Sequence, residues 1–166
     1  MSRRFQMRRS PIHGRGVFAV TDIPADERLV EYTGRLLTHA QADRAYGELP
    51  DDGHTFLFTL NDHYVIDANV GGNTARWINH SCDPNCQAVL EEDEDGDPCA
   101  DQVFIETLRP VRAGEELTYD YGIVLDEPHT AEKKRIWTCH CGARACTGTM
   151  LKPKRKPKRK RKPKRR

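Results

Sequence analysis

No run of apolar residues in this sequence approaches the ~20 needed to cross a bilayer. No apolar stretch follows Met1-Ser2-Arg3-Arg4, so nothing there reads as a secretory signal. Both absences argue against a membrane or exported protein, and the expectation is an intracellular one. No internal repeat is present. Acidic residues are missing from residues 152–166, which carry 12 of the 27 Lys and Arg. The other 15 basic residues face 25 acidic ones in 1–151. The net charge of +2 therefore divides into a body of −10 and a tail of +12. Charge alone excludes the body as a general nucleic-acid binder, whereas the tail suits that role.

What is present fits one domain. At 166 residues and 37% hydrophobic content there is material for a single core. Apolar runs are short. Gly16–Val20, Leu29–Thr33, Val103–Ile105 and Glu116–Tyr119 read as strands. Phe56–Leu60 and Tyr64–Asp67 flank Asn61-Asp62-His63 and read as a hairpin. A helix is expected after Thr38, where Gln41 completes a capping box and Ala40, Ala42 and Ala45 favour helix. A short helix is expected over Thr74–Ile78, and a solvated acidic loop over Glu91–Asp97. Many short strands with few helices predict a mostly β fold. Lys, Arg and three prolines make residues 152–166 a disordered extension.

Six cysteines stand at 82, 86, 99, 139, 141 and 146. Without an export signal they point to metal rather than to disulfides. Cys139, Cys141 and Cys146 form C-x-C-x4-C, and Gly142 lets the chain turn between ligands. Zinc wants a fourth ligand, for which Cys82, Cys86, Cys99 and His140 are candidates. A four-thiolate site leaves no position for a reactive water, so its role is structural.

Three further motifs carry polar chemistry. In Arg76-Trp77-Ile78-Asn79-His80-Ser81-Cys82-Asp83-Pro84-Asn85, four polar or reactive groups follow an apolar pair, and Asp-Pro-Asn forces a turn. Taken alone this is a capped turn that satisfies its own backbone. In Gly114-Glu115-Glu116-Leu117-Thr118-Tyr119-Asp120-Tyr121-Gly122, Tyr119 and Tyr121 share one face of a strand, an arrangement that more often means packing than catalysis. Gly14-Arg15-Gly16 before a strand permits close backbone approach to a ligand but is a weak signal by itself.

Taken together and in this order, these motifs, with Glu31-Tyr32-x-Gly34, resemble the SET-domain protein-lysine methyltransferases that carry a C-terminal post-SET zinc segment. The resemblance runs from about Ser10 to Met150. It implies a mostly β SET fold of several small sheets with a knot-like crossing of the Asn-His-Ser and Tyr-Asp-Tyr stretches. It implies boundaries at 1–9 (flank), 10–125 (SET), 126–151 (post-SET) and 152–166 (tail). It also implies S-adenosylmethionine as methyl donor, held by Gly14, Arg15, Gly16, Arg76, Asn79, His80 and Tyr121. Tyr121 would be the essential tyrosine, Tyr32 and Tyr119 would line the lysine channel, and Cys82 would be the fourth zinc ligand. Tyr rather than Phe at 119 implies mainly mono- or dimethylation. Two positions depart from the pattern: Phe56 stands where many relatives carry Tyr, and Thr149 where some carry an aromatic lid.

The resemblance implies a basic protein substrate such as a histone or histone-like tail, which an acidic body would attract. The location expected is chromatin in a eukaryote, or cytoplasm and nucleoid in a bacterium. The basic tail has several readings: a nucleic-acid tether, a nuclear address, or an occupant of the chain's own acidic face as inhibitor or methyl acceptor. The competing function is a catalytically weak SET-fold binding module tethered by that tail. Retention of Tyr121 and of the Asn79-His80 pair favours the enzyme. Oligomeric state is open.

Overall fold

A computed structural model of the chain describes residues 4–47, 56–125 and 127–153. From residue 154 onward the expected disordered extension lies outside the described residues. Ten short strands and two helices make up the described part. The strands are β1 (Phe5–Arg9), β2 (Arg15–Ala19), β3 (Arg28–Glu31), β4 (Arg35–Thr38), β5 (Leu57–Thr59), β6 (Tyr64–Asp67), β7 (Asn79–His80), β8 (Cys86–Glu91), β9 (Gln102–Thr107) and β10 (Glu116–Tyr119). The helices are α1 (His39–Tyr46) and α2 (Ala131–Ile136), with a 3-10 turn at Thr74–Trp77. No helix of the described residues is long and apolar enough to cross a membrane.

The strands form three small sheets, ordered β1-β2-β10-β7, β3-β9-β8 and β4-β6-β5. The expected strands and the β5–β6 hairpin are all present, β6 and β10 with the expected ends and the others shifted by one or two residues. α1 starts as its capping box requires. The Gln41 N–H donates to Thr38 Oγ1 at 3.2 Å, and the Thr38 N–H donates to Gln41 Oε1 at 2.8 Å. Such a cap contributes about 1 kcal/mol. The acidic loop begins one residue later than expected, because Glu91 closes β8 and ion-pairs with Arg28 at 2.7 Å.

β10 organises the molecule. Its first half pairs antiparallel with β2, Glu116 opposite Phe18 and Leu117 opposite Val17. Its second half pairs parallel with β7, Thr118 opposite Asn79 and Tyr119 opposite His80. Leu117, Thr118 and Tyr119 are all buried, so both faces of β10 are covered as well as its edges. This is where the Asn-His-Ser and Tyr-Asp-Tyr stretches meet. Asn85 completes the junction. Its Nδ2 donates to Glu116 O at 2.8 Å, and its Oδ1 accepts from Thr118 N at 2.8 Å, so one side chain stands in for a neighbouring strand. Val17, Ile23, Ile78, Ile105 and Leu117 pack beneath as the centre of the core.

Candidate active site and metal centre

Asn79 is 7% exposed on β7, and its amide must find partners inside the fold. Its Nδ2 lies 2.8 Å from Glu116 Oε1 and 2.9 Å from Arg15 O, with Ser10 Oγ and His13 O at 3.2 and 3.3 Å. Two hydrogens serve the two nearest acceptors, a carboxylate and the backbone of the Gly14–Gly16 turn. Ser10 donates to the same carboxylate at 2.7 Å. A Cβ at Gly16 would overlap the Glu116 carboxylate, so the missing side chain there makes room for a group of the protein itself. Gly14 is exposed, and a Cβ on it would meet nothing within 4 Å. One buried network thus fixes the turn from below and leaves its outer face open.

Trp77 sits between two cations. The Arg15 guanidinium lies 5.2 Å from its ring centroid, and that of Arg76 lies 4.9 Å away. Arg76 also covers Phe56 at 5.4 Å and donates from Nη1 to Ala68 O at 2.9 Å. Its buried Nε has no partner among the described residues. An orphaned guanidinium donor beside an aromatic face and an open glycine turn fits a ligand that pairs a carboxylate with a flat ring, as S-adenosylmethionine does. An open cleft of about 560 Å³ lies along Met7, Arg8, Arg9, Gly14 and Arg15. The rings of the aromatic wall described next are not among its described lining residues.

Tyr32, Phe58, Tyr119 and Tyr121 form a continuous aromatic wall. Successive ring centroids lie 5.1, 6.4 and 4.9 Å apart, and Tyr121 reaches His80 at 5.4 Å. Tyr119 and Tyr121 share a face, as the alternation requires. The Tyr121 hydroxyl donates to Ile78 O at 2.9 Å, and the Tyr32 hydroxyl donates to Phe56 O at 3.2 Å. Burial pushes all three tyrosines well above the ordinary phenol range, so they stay neutral at any physiological pH. Burial also lowers His80, against the pull of Asp120. Its Nδ1 accepts the Tyr121 N–H at 3.1 Å, which fixes the backbone of the tyrosine. The resulting wall is apolar along its rings with oriented hydroxyls at the tips.

Cys82, Cys139, Cys141 and Cys146 bring their sulfurs within 4.8 Å of one another. Cys82 stands 3.8 Å from both Cys139 and Cys146. Tetrahedral zinc with Zn–S near 2.3 Å sets sulfurs about 3.8 Å apart, so these residues fit the ion. Burial pushes the Cys141 thiol up, but N–H groups of Cys82 and Ala143 and the neighbouring thiols outweigh it and bring it down to about 6. Gly142, with φ of +69°, makes the turn that lets Cys141 and Cys146 face the same point. Of the other fourth-ligand candidates, Cys86 is buried in β8 with its thiol pushed up to about 12 by burial, Cys99 is exposed beside Asp97, and His140 is exposed.

A family model described as the SET domain matches residues 14–122, more than half of the chain. The chain belongs to the SET-domain family. Similar proteins include the histone-lysine N-methyltransferase set-2 of Caenorhabditis elegans, 39% identical over 143 residues that cover 84% of this chain and 9% of that protein. The trithorax histone-lysine N-methyltransferase of Drosophila virilis is 37% identical over 139 residues, 83% of this chain and 3% of that protein. The H3 lysine-4 specific histone-lysine N-methyltransferase of Candida albicans is 39% identical over 142 residues, 84% of this chain and 13% of that protein. The SET chain thus spans 3% to 13% of the length of these curated relatives.

The matched SET region contains Cys82 and ends before the other three thiols. The segment that follows is held to the SET domain by the Ile123–Leu151 bridge and within itself by the Thr138–Thr149 bridge. Thr149 is half-buried and donates its hydroxyl to Trp137 O at 2.9 Å. Three site residues escape a reading of the sequence: Ser10, Asn85 and Glu116. Glu116 reads only as the first residue of a strand, and only the fold sets Ser10, Asn79 and Gly16 around it. Asn85 had a signal, a carboxamide beside apolar strands, which was read as a turn residue.

Proposed function

We propose that this chain is an S-adenosylmethionine-dependent protein-lysine N-methyltransferase that adds mainly one or two methyl groups to a histone or histone-like tail. The aromatic wall of Tyr32, Tyr119 and Tyr121 beside Asn79 and His80 carries the reading. The names of the similar SET proteins support it, and a body of −10 suits a lysine-rich partner.

Gly14, Arg15, Gly16, Arg76, Asn79, His80 and Tyr121 are the residues that would hold the cofactor. Bound S-adenosylmethionine supplies an electrophilic methyl group. The chain must present a neutral amine to it. Deprotonating a lysine of pKa ~10.4 at pH 7 costs roughly 4.6 kcal/mol. A wall of two buried tyrosines and the half-buried Tyr121 lowers that cost by disfavouring the ammonium form. No side chain has to act as base, because water can remove the proton before the amine enters. The Tyr121 hydroxyl, pinned on Ile78 O, fixes the tip of the wall. The Tyr119 hydroxyl takes volume that a fully methylated amine would need. Zinc at Cys82, Cys139, Cys141 and Cys146 would fold the C-terminal segment over this site and take no part in the transfer.

The test uses purified, zinc-loaded protein and labelled S-adenosylmethionine, with core histones and a lysine-rich nucleoid protein as parallel acceptors. Label is expected on at least one acceptor, and Tyr121→Phe is expected to cut it by roughly 10²-fold or more. Failure to bind the cofactor at all would overturn the reading.

A further inference from the structure

The basic tail leaves the fold beside the proposed active site. Leu151 is 4% exposed and bridges in parallel to Ile123, two residues past Tyr121. The Lys152 N–H donates to Ile123 O at 2.8 Å. Its ammonium pairs with the carboxylate of Asp120, the residue before Tyr121. Asp120 in turn stands 3.8 Å from His80 Nδ1. Two successive residues are therefore pinned to the stretch that supplies the tyrosine. The sequence that follows holds Lys154, Lys156, Lys158, Lys160, Lys162 and Lys164 among arginines and prolines, with no acid.

We infer that the tail is a methyl acceptor in cis: lysines within 154–164 enter the aromatic channel of their own chain and compete there with the protein substrate. This rests on the methyltransferase reading above. Reach is sufficient. At about 3.4 Å per residue, Lys158 lies up to ~20 Å of contour from Lys152 and Lys164 up to ~40 Å. That is enough chain to turn back to a site next to its own anchor. Tethering gives such an acceptor an effective concentration in the millimolar range. A tail of +12 on a body of −10 adds attraction. The transfer is the same as for any lysine. Water takes the ammonium proton, the Nζ lone pair forms the new N–C bond, and the C–S bond of the sulfonium breaks with its electrons left on sulfur as S-adenosylhomocysteine. The product nitrogen regains a positive charge at neutral pH, so the tail keeps its charge.

The full-length, zinc-loaded protein is incubated with labelled S-adenosylmethionine at several dilutions, without and with a histone tail peptide, and label is mapped by mass spectrometry. Label is expected within 154–164 at a rate per molecule that does not change over 100-fold dilution. A variant with Lys→Arg at the six tail positions, which keeps the charge, is expected to lose that label and to show a several-fold lower KM for the histone peptide at unchanged kcat. Lys152→Gln, which frees the anchor, is expected to slow tail labelling several-fold and leave peptide labelling intact. Labelling of the peptide without the tail would overturn the inference and leave the methyltransferase reading standing. So would tail labelling that scales with protein concentration. An unlabelled tail whose removal abolishes binding to a DNA duplex would make it a tether and overturn the inference too. Label on neither peptide nor tail, with no cofactor bound, would overturn both readings.

Discussion

The two halves of the proposed site are held by different forces. Around Asn79 and Glu116 the chain satisfies itself: a carboxamide, a carboxylate, a serine and a backbone turn close a buried network against β10. Around the thiols it does not. α2 buries no residue, and its six positions carry two lysines and an arginine. Beyond Trp137 the segment offers three of the four sulfurs, the buried Leu151 and a few backbone bonds. A β-rich core can fold on apolar burial and strand pairing, whereas an ion at the thiols would tie a short, charged, C-terminal segment to one structure. The comparison teaches that cofactor binding and channel closure should fail separately.

Removal of zinc is the largest expected way to break that comparison. Structural thiolate sites contribute an apparent ~10–16 kcal/mol of metal binding free energy. A strong chelator is expected to abolish hydrogen-exchange protection across 131–151 while β2, β10 and β7 keep theirs. Loss of protection in both regions together would show that the halves are one folding unit.

Asn79→Ala attacks the other half. It leaves the Glu116 carboxylate and the Arg15 carbonyl without their amide donor, an expected loss of about 3 kcal/mol in denaturant unfolding. S-adenosylmethionine affinity should fall about tenfold by calorimetry while the zinc stoichiometry stays at one.

Asp67 sharpens the contrast with pH. Burial pushes its carboxyl up, but bonds from Tyr46, Arg35 and Asn69 outweigh this and hold it below the ordinary carboxylate range. The stability it contributes is therefore complete above the unfolded value of ~3.9 and is lost as pH falls through the lower folded value. Asp67→Asn is expected to cost about 1–3 kcal/mol at pH 7. The variant should also show a flatter fall of Tm below pH 4 than the parent. An unchanged slope would remove Asp67 from the acid response.

The smallest expected change is Tyr119→Phe. It removes one hydroxyl from the wall and leaves the rings in place, so Tm should move by less than the equivalent of ~1 kcal/mol. Mass spectrometry of the product should nevertheless shift towards higher methylation states. An unchanged product distribution would separate Tyr119 from product control.

Much of this molecule was legible before any coordinates. The strands with alternating or aromatic-rich runs, the Thr38–Gln41 cap and the C-x-C-x4-C spacing each carry a local signal that needs no partner. β1, β8 and α2 carried none. Phe5-Gln6-Met7-Arg8-Arg9 reads as polar, and forms a strand because β2 offers it an edge. β8 runs into the acidic stretch, and its pairing with β9 decides where one ends and the other begins. Ala131–Ile136 has no apolar face, and the Thr130 cap and Glu132 in its first turn do not mark a helix without one.

By itself the sequence determined the residue types: thiols at metal spacing, tyrosines at strand spacing, a glycine turn, an acidic body and a basic tail. These follow from composition and short-range periodicity, which act over a few residues. The tertiary structure decided which thiol completes the four, that Gly16 yields its space to Glu116, that Asn85 clamps β10, and that the tail departs beside Tyr121. Each of these joins positions far apart in the chain. The pairing of β10 with β2 and β7 brings the strand residues together, and the Ile123–Leu151 bridge brings the start of the tail to them.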